Sequence, residues 1–208
     1  MANQEQLEIL KQGIKVWNKW REDNPDVKID LSDASFNGID FHEANFSHAD
    51  LSHANLSEAK LSEANLSEAE LCYTDLWNTR LWGTFLSRAN LRGASLISAK
   101  LDNANITGAK LYATARDEWR IENIKCDYVF WGFMEEYRTP ADRDFSPGEF
   151  EKLYKWHPYD DFERLIERSI EFPPEYKQAG VSILNYFAEI IRKKYPESEA
   201  LFRLSRTG

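Results

Sequence analysis

The chain has 208 residues, a formal net charge of −9 and a pI of about 5.1. That balance argues against general affinity for nucleic acid or an anionic membrane surface, and no apolar run approaches the ~18 residues of a membrane span. Cys72 and Cys126 are the only cysteines, which implies neither a disulfide framework nor a zinc site and suits a reducing cytoplasm.

Met1–Arg21 mixes Glu5, Glu8, Lys11 and Lys15 with its apolar residues, unlike a signal peptide. Residues 4–22 read as one helix, because Leu7, Leu10, Ile14 and Trp17 recur at three-and-four spacing. Asn24-Pro25 ends it, since the residue before proline avoids the α region. This segment, 1–24, is expected to cap the repeats that begin near Leu31.

From Leu31 to Leu111 a bulky apolar residue falls on every fifth position, beginning Leu31, Phe36, Phe41, Phe46, Leu51. Two residues earlier stands a small one, as at Ala44, Ala49, Ala54, Thr74 and Thr79. A period of five fits neither a helix nor a flat strand. It implies a solenoid of short stacked units. The register breaks at Arg116 and resumes at Ile121, Cys126 and Trp131. The spacing predicts a last, irregular coil with a loop over Arg116–Glu118 and larger interior residues suited to a terminal plug.

The units AN-F-SH, AD-L-SH, AN-L-SE and AE-L-CY resemble the pentapeptide-repeat family, whose unit is A-(N/D)-L-x-x. The segments TARDEWRIENIKCDYVFW and RTPADRDFSPGEFEKLY resemble a C-terminal extension of mostly cyanobacterial members. What the resemblance implies is a mainly β solenoid: a right-handed quadrilateral β-helix with four pentapeptides per coil and about five coils. The central residue and the small one would point inward and the other three outward. The expected organisation is a capping helix over 1–24, the β-helix over 29–132, a linker over 133–145 and a helical region over 146–208.

A coil of twenty stacks outward residues in columns. One is Asp40, Lys60, Arg80, Lys100 and Arg120; another is Asp30, Asp50, Glu70, Asn90 and Lys110. The rod is expected to be acidic from Asp30 to Asp75 and basic further on, with Lys60, Arg80 and Lys100 as candidate electrostatic contacts. Tyr73, Trp77, Trp82 and Phe85 fall at outward positions, and Ile97 stacks one coil beyond Trp77. These five are expected to form one apolar patch on neighbouring faces. It is either covered by the chain's own C-terminal helices or binds a partner, as aromatic surfaces commonly do. His42, His48 and His53 fall on three different faces and are not expected to converge on a metal.

Further on, Ser146-Pro147-Gly148-Glu149 reads as a capping box with proline at the first helical position, opening a helix to about Trp156. Helices are expected over 160–170 and 175–195. The last has a wide apolar face and opens a segment resembling a module of some relatives that looks truncated here.

Catalytic motifs are missing from the sequence: no Gly-rich phosphate loop, H-E-x-x-H, G-x-S-x-G or C-x-x-C. The expectation is a cytoplasmic, non-catalytic interaction or regulatory module with no cofactor and an unknown protein partner. A homodimer through the aromatic patch or the last helix is a further option, and membrane or nucleic-acid binding is not expected. The alternatives are a DNA-mimic modulator of a type II topoisomerase and a truncated remnant of a larger signalling protein.

Overall fold

The chain divides into two units, Met1–Trp156 and His157–Gly208. The computed structural model describes residues 1–132 and 137–155, all within the first. The helices expected over 160–170 and 175–195 lie outside the described residues. The named elements are α1 (Gln4–Lys11), α2 (Ile14–Asp23), β1 (Val129–Phe130), β2 (Arg138–Thr139) and α3 (Glu149–Tyr154).

Between α2 and β1 runs a solenoid whose step is set by its backbone pairing. Asp30 pairs parallel with Asp50, Asp50 with Glu70 and Glu70 with Asn90; the series beginning Ser35↔Asn55, Asp40↔Lys60 and Asn45↔Asn65 continue likewise. Four pairing columns per twenty residues define four sides. Residues 31–50, 51–70, 71–90, 91–110 and 111–130 are here called coils one to five.

Each pentapeptide holds its neighbours by a repeated set of bonds. The central residue donates to the next coil (Leu31 N to Asp50 O, 2.8 Å), as does the residue two later (Asp33 N to Ser52 O, 2.9 Å). The residue before the centre donates backward (Asn55 N to Ala34 O, 2.9 Å). The corner is a β-turn closed from the next small residue, as in Ala44 N to Phe41 O at 3.0 Å. From Asp33 to Asn123 the third turn residue has positive φ in every unit, between 51° and 75°, yet only Gly38, Gly83, Gly93 and Gly108 are glycine. A side chain there costs ~1–2 kcal/mol, which the ladder bond from the same N–H helps to offset.

The preference for Asn or Asp before the central residue follows from this turn. The side-chain Oδ1 accepts the N–H two residues on, at 3.0–3.1 Å, at Asp30, Asp40, Asn45, Asp50, Asn55, Asn65, Asp75 and Asn105. This is an Asx-turn, a short side chain standing in for a backbone acceptor.

The central leucines and phenylalanines and the small residues before them fill the bore; from Phe46 to Ile106 nearly all are fully buried. In coil three, three of the four small residues are threonines, Thr74, Thr79 and Thr84, whose hydroxyls donate to Leu51 O, Leu56 O and Leu61 O at 2.7–2.8 Å. Thr79→Val keeps the volume and removes one such bond. The expected cost is about 1 kcal/mol, read as a melting temperature lower by roughly 2–4 °C.

The N-terminal segment is two helices rather than one, broken at Gly13, whose φ of 107° no other residue adopts easily. They meet coil one where it has no preceding coil. The Gln6 amide accepts from Asp30 N (2.8 Å) and donates to Lys28 O (2.9 Å). The Asn18 amide does the same for Asn45 N and Glu43 O, both 2.9 Å. Two side-chain amides thus replace the peptides of a missing coil at an otherwise open strand edge. Trp17, fully buried, donates to Asn45 O (2.9 Å) and packs on Phe46, which continues edge-to-face into Phe41 and Phe36. Arg21 donates to Ser47 O at 2.9 Å, and burial pulls its guanidinium pKa down.

At the other end the expected loop at Arg116–Glu118 is absent. Coil five stays in register through Ser95↔Ala115 and Lys100↔Arg120. Arg116 takes the central position, its guanidinium 4.5 Å from the Trp131 ring centre and 5.5 Å from that of Trp119. At the bore's end a cation can lie on aromatic faces, where one coil deeper it would meet only leucine.

Residues 137–145 are not a linker either. Arg138–Thr139 pairs antiparallel with Val129–Phe130, and Phe145, buried, donates its N–H to Asp127 O at 2.7 Å. Phe145, Phe150 and Tyr154 close over Trp119 and Trp131. The capping box is half formed. Glu149 accepts from Ser146 N (2.8 Å), but Ser146 gives no side-chain bond in return, and α3 starts at Glu149 behind a left-handed Gly148. Arg143, and then the Ser146 N–H, hold the Glu149 carboxyl down at about 2.

Candidate interaction surface

Coil three departs from the polar exterior of its neighbours. Tyr73 is 62% exposed, Trp77 43%, Trp82 48% and Phe85 50%. Trp77 and Trp82 occupy the same place in consecutive corners, on either side of Arg80. Tyr73 lies one corner earlier and Phe85 at the pairing position after Trp82. Among the described residues no ring pair joins them. They form a band round one coil, where the sequence suggested a single cluster. Ile97, half-buried, takes Trp77's turn position one coil on, and its carbonyl accepts from Asn78 N at 3.0 Å.

The band is rigidly mounted. The carbonyls of Trp77, Trp82 and Phe85 accept from Glu58, Glu63 and Leu66 at 2.7–2.9 Å, and Asp75 closes the Trp77 turn. Tyr73 lies flat along the rod. Its ring stacks on His53 at 5.2 Å and 13°, and a Cβ on Gly93 would come within 2.5 Å of it. Glycine at 93 thus makes room for the tyrosine as well as allowing the turn. The C-terminal helices expected to cover this band fall outside the described residues.

The charged columns are mostly paired in register. Lys60 bonds Asp40 at 3.0 Å, Arg88 lies 3.7 Å from Glu68, Arg120 2.9 Å from Asp102, and Asn90 donates to Glu70 at 2.5 Å. The Lys60 ammonium, and then the His42 N–H, lower the Asp40 pKa. Arg80 and Lys100, adjacent in one column, make no ion pair or side-chain hydrogen bond among the described residues.

The three histidines find separate neighbours. His48 lies 3.5 Å from Glu68, His53 stacks on Tyr73, and His42 is 3.5 Å from Glu43. One convergence escapes the sequence reading. Ligand atoms of His42, Glu43 and Glu63 lie within 4.8 Å of one another. The signal for it is the twenty-residue step from Glu43 to Glu63, not the histidines. All three are exposed, and His42 Nδ1 already lies 2.9 Å from Ser62 O. Of the thiols, Cys126 is buried and Cys72 half-buried; burial raises both pKa values, with the Glu70 carboxylate adding to it at Cys72. No helix among the described residues is long and apolar enough to cross a membrane.

The family model described as pentapeptide repeats matches residues 28–62, 49–81 and 78–111, in eight copies. Among solved structures, the pentapeptide repeat protein alr5209 of Nostoc PCC 7120 is similar at 26% identity. It covers 52% of this chain and 93% of its own, with a TM-score of 0.42. Rfr23 of Cyanothece 51142 is 27% identical over 55% of this chain and 97% of its own, with a TM-score of 0.27. HetL of Nostoc sp. PCC 7120, involved in heterocyst differentiation regulation, is 21% identical over 50% of this chain and 62% of its own, with a TM-score of 0.22. No curated protein is significantly similar to the chain.

Proposed function

We propose, since the chain belongs to the pentapeptide-repeat family through residues 28–111, that it is a non-catalytic interaction module in which coil three presents its aromatic band to a protein partner. Members of this family are generally structural or interaction modules. The observation that carries the reading is the exposure of Trp77, Trp82 and Phe85, each near half, on a coil whose backbone is fully laddered. Tryptophan is favoured as an interface anchor, and on a rigid mount it loses little entropy on binding. HetL is a family relative involved in differentiation regulation, and a regulatory task of this kind is compatible with such a surface. Imitation of DNA toward a type II topoisomerase ranks lower, because Arg80, Arg88, Arg92 and Lys100 interrupt the acidic array that ends at Asp75.

The test is the double variant Trp77→Ser/Trp82→Ser. Its melting temperature is expected to stay within about 2 °C of wild type, since neither side chain is in the core. Affinity capture from the source cell and sedimentation velocity should show loss of the partner or of self-association. A variant that melts far lower, or that keeps its partners, overturns the assignment.

A further inference from the structure

One column carries a cation in four successive coils. At Lys60, Arg80, Lys100 and Arg120 a cation stands where Asn or Asp elsewhere closes the turn. Lysine and arginine carry no acceptor, so the turns at Ser62, Trp82, Asp102 and Glu122 receive no Asx bond from their own column. The four cations are also stacked in register, ~4.8 Å per coil, and like charges directly opposite in a ladder repel. The ends of the column are neutralised, Lys60 by Asp40 and Arg120 by Asp102. The middle is not, since Arg80 and Lys100 have no carboxylate partner among the described residues. Trp77 and Trp82 flank that middle on either side, both exposed.

We infer that this side of coils three and four binds an acidic, extended protein segment running along the rod axis. Its carboxylates would lie on Arg80 and Lys100, and its apolar side chains on Trp77 and Trp82. The inference rests on the reading above only in placing the partner on coil three; it adds the chemistry of what is bound. Charge complementarity selects the occupant. Two unpaired cations side by side, in a protein of net charge −9, suit a short run of carboxylates. A nucleic-acid strand needs a longer positive track than two cations provide.

The column forgoes its local turn bonds and accepts repulsion, so restoring the family residue should stabilise the free protein while removing binding. The test compares wild type with Arg80→Asn/Lys100→Asn, using poly-L-glutamate and an oligo-dT of about twenty nucleotides as probes at low salt and at roughly 0.3 M salt, where surface electrostatics are largely screened. The double variant alone is expected to melt roughly 2–4 °C higher per restored turn bond. Poly-L-glutamate should raise the wild-type melting temperature at low salt, lose that effect at the higher salt, and have an affinity for the variant weaker by about tenfold or more, as expected when two charge contacts are removed. Oligo-dT should bind more weakly than poly-L-glutamate. A stronger response to oligo-dT makes the surface a nucleic-acid site and overturns the inference. So does a poly-L-glutamate response that is absent in wild type or unchanged in the variant. The two readings fail separately. A partner retained by Trp77→Ser/Trp82→Ser, with poly-L-glutamate binding still lost in Arg80→Asn/Lys100→Asn, leaves the anionic-segment site standing and removes the aromatic one.

Discussion

Trp17→Ala is expected to cost about 3–5 kcal/mol, the usual range for emptying a buried tryptophan site. The side chain is fully buried, and it carries three contacts at once: the hydrogen bond to Asn45 O and the ring packing on Phe46 and Trp20. The damage should be local at first, since stacked repeats are held mainly by their nearest neighbours. Hydrogen exchange should show lost protection at Asn45 N and Asp30 N, which lose the Asn18 and Gln6 amides once the helices lift, while coils three and four stay protected. A uniform loss along the rod, or a cost below about 1 kcal/mol, contradicts the assignment of these helices as the closure of the first coil.

Phe150→Ala should open the opposite end at a similar cost, about 3–5 kcal/mol. Phe150 packs against Tyr154 at 4.7 Å, Phe145 at 5.5 Å and Trp119 at 6.2 Å. A helix as short as α3 has no stability of its own, so its attachment depends on this aromatic contact. Cys126 reports the result. It is buried in the last coil with its thiol pKa pushed up, so it should react slowly with a thiol reagent at neutral pH in a Cys72→Ser background. In Phe150→Ala the labelling rate should rise by about tenfold or more through local opening, before global unfolding. Unchanged labelling places the closure elsewhere than at Phe150.

Much of the solenoid is legible in the sequence because its two signals are strictly periodic. The five-residue apolar repeat identifies which side chains are buried, and the twenty-residue step places Asp40, Lys60, Arg80, Lys100 and Arg120 in one column. What escapes is where periodicity and chemistry part. The apolar stripe Leu7, Leu10, Ile14, Trp17 runs on across Gly13, so it reads as one helix where a left-handed glycine makes two. Arg116 at an inward position reads as a break, because its partners, Trp119 and Trp131, come from the end of the bore and not from the repeat. Residues 137–145 have no period at all, and they are tied down by the pairing of Arg138–Thr139 with Val129–Phe130 and by the buried Phe145. Of the candidate surface, the identity of its aromatic residues is legible. Their distribution round one coil is not, and neither is the His42–Glu43–Glu63 convergence.

The register also dictates which insertions and deletions the chain can absorb. Adding a whole coil would lengthen the rod by ~4.8 Å and leave every alignment intact. Adding one pentapeptide would keep each leucine inside but rotate everything downstream by a quarter turn, so that an insertion after Arg80 would carry Lys100 round to another side. A single-residue change would turn the rest of the interior outward. Length variation in such a rod is therefore quantised, and its surface chemistry can be reshuffled by fives without disturbing its core.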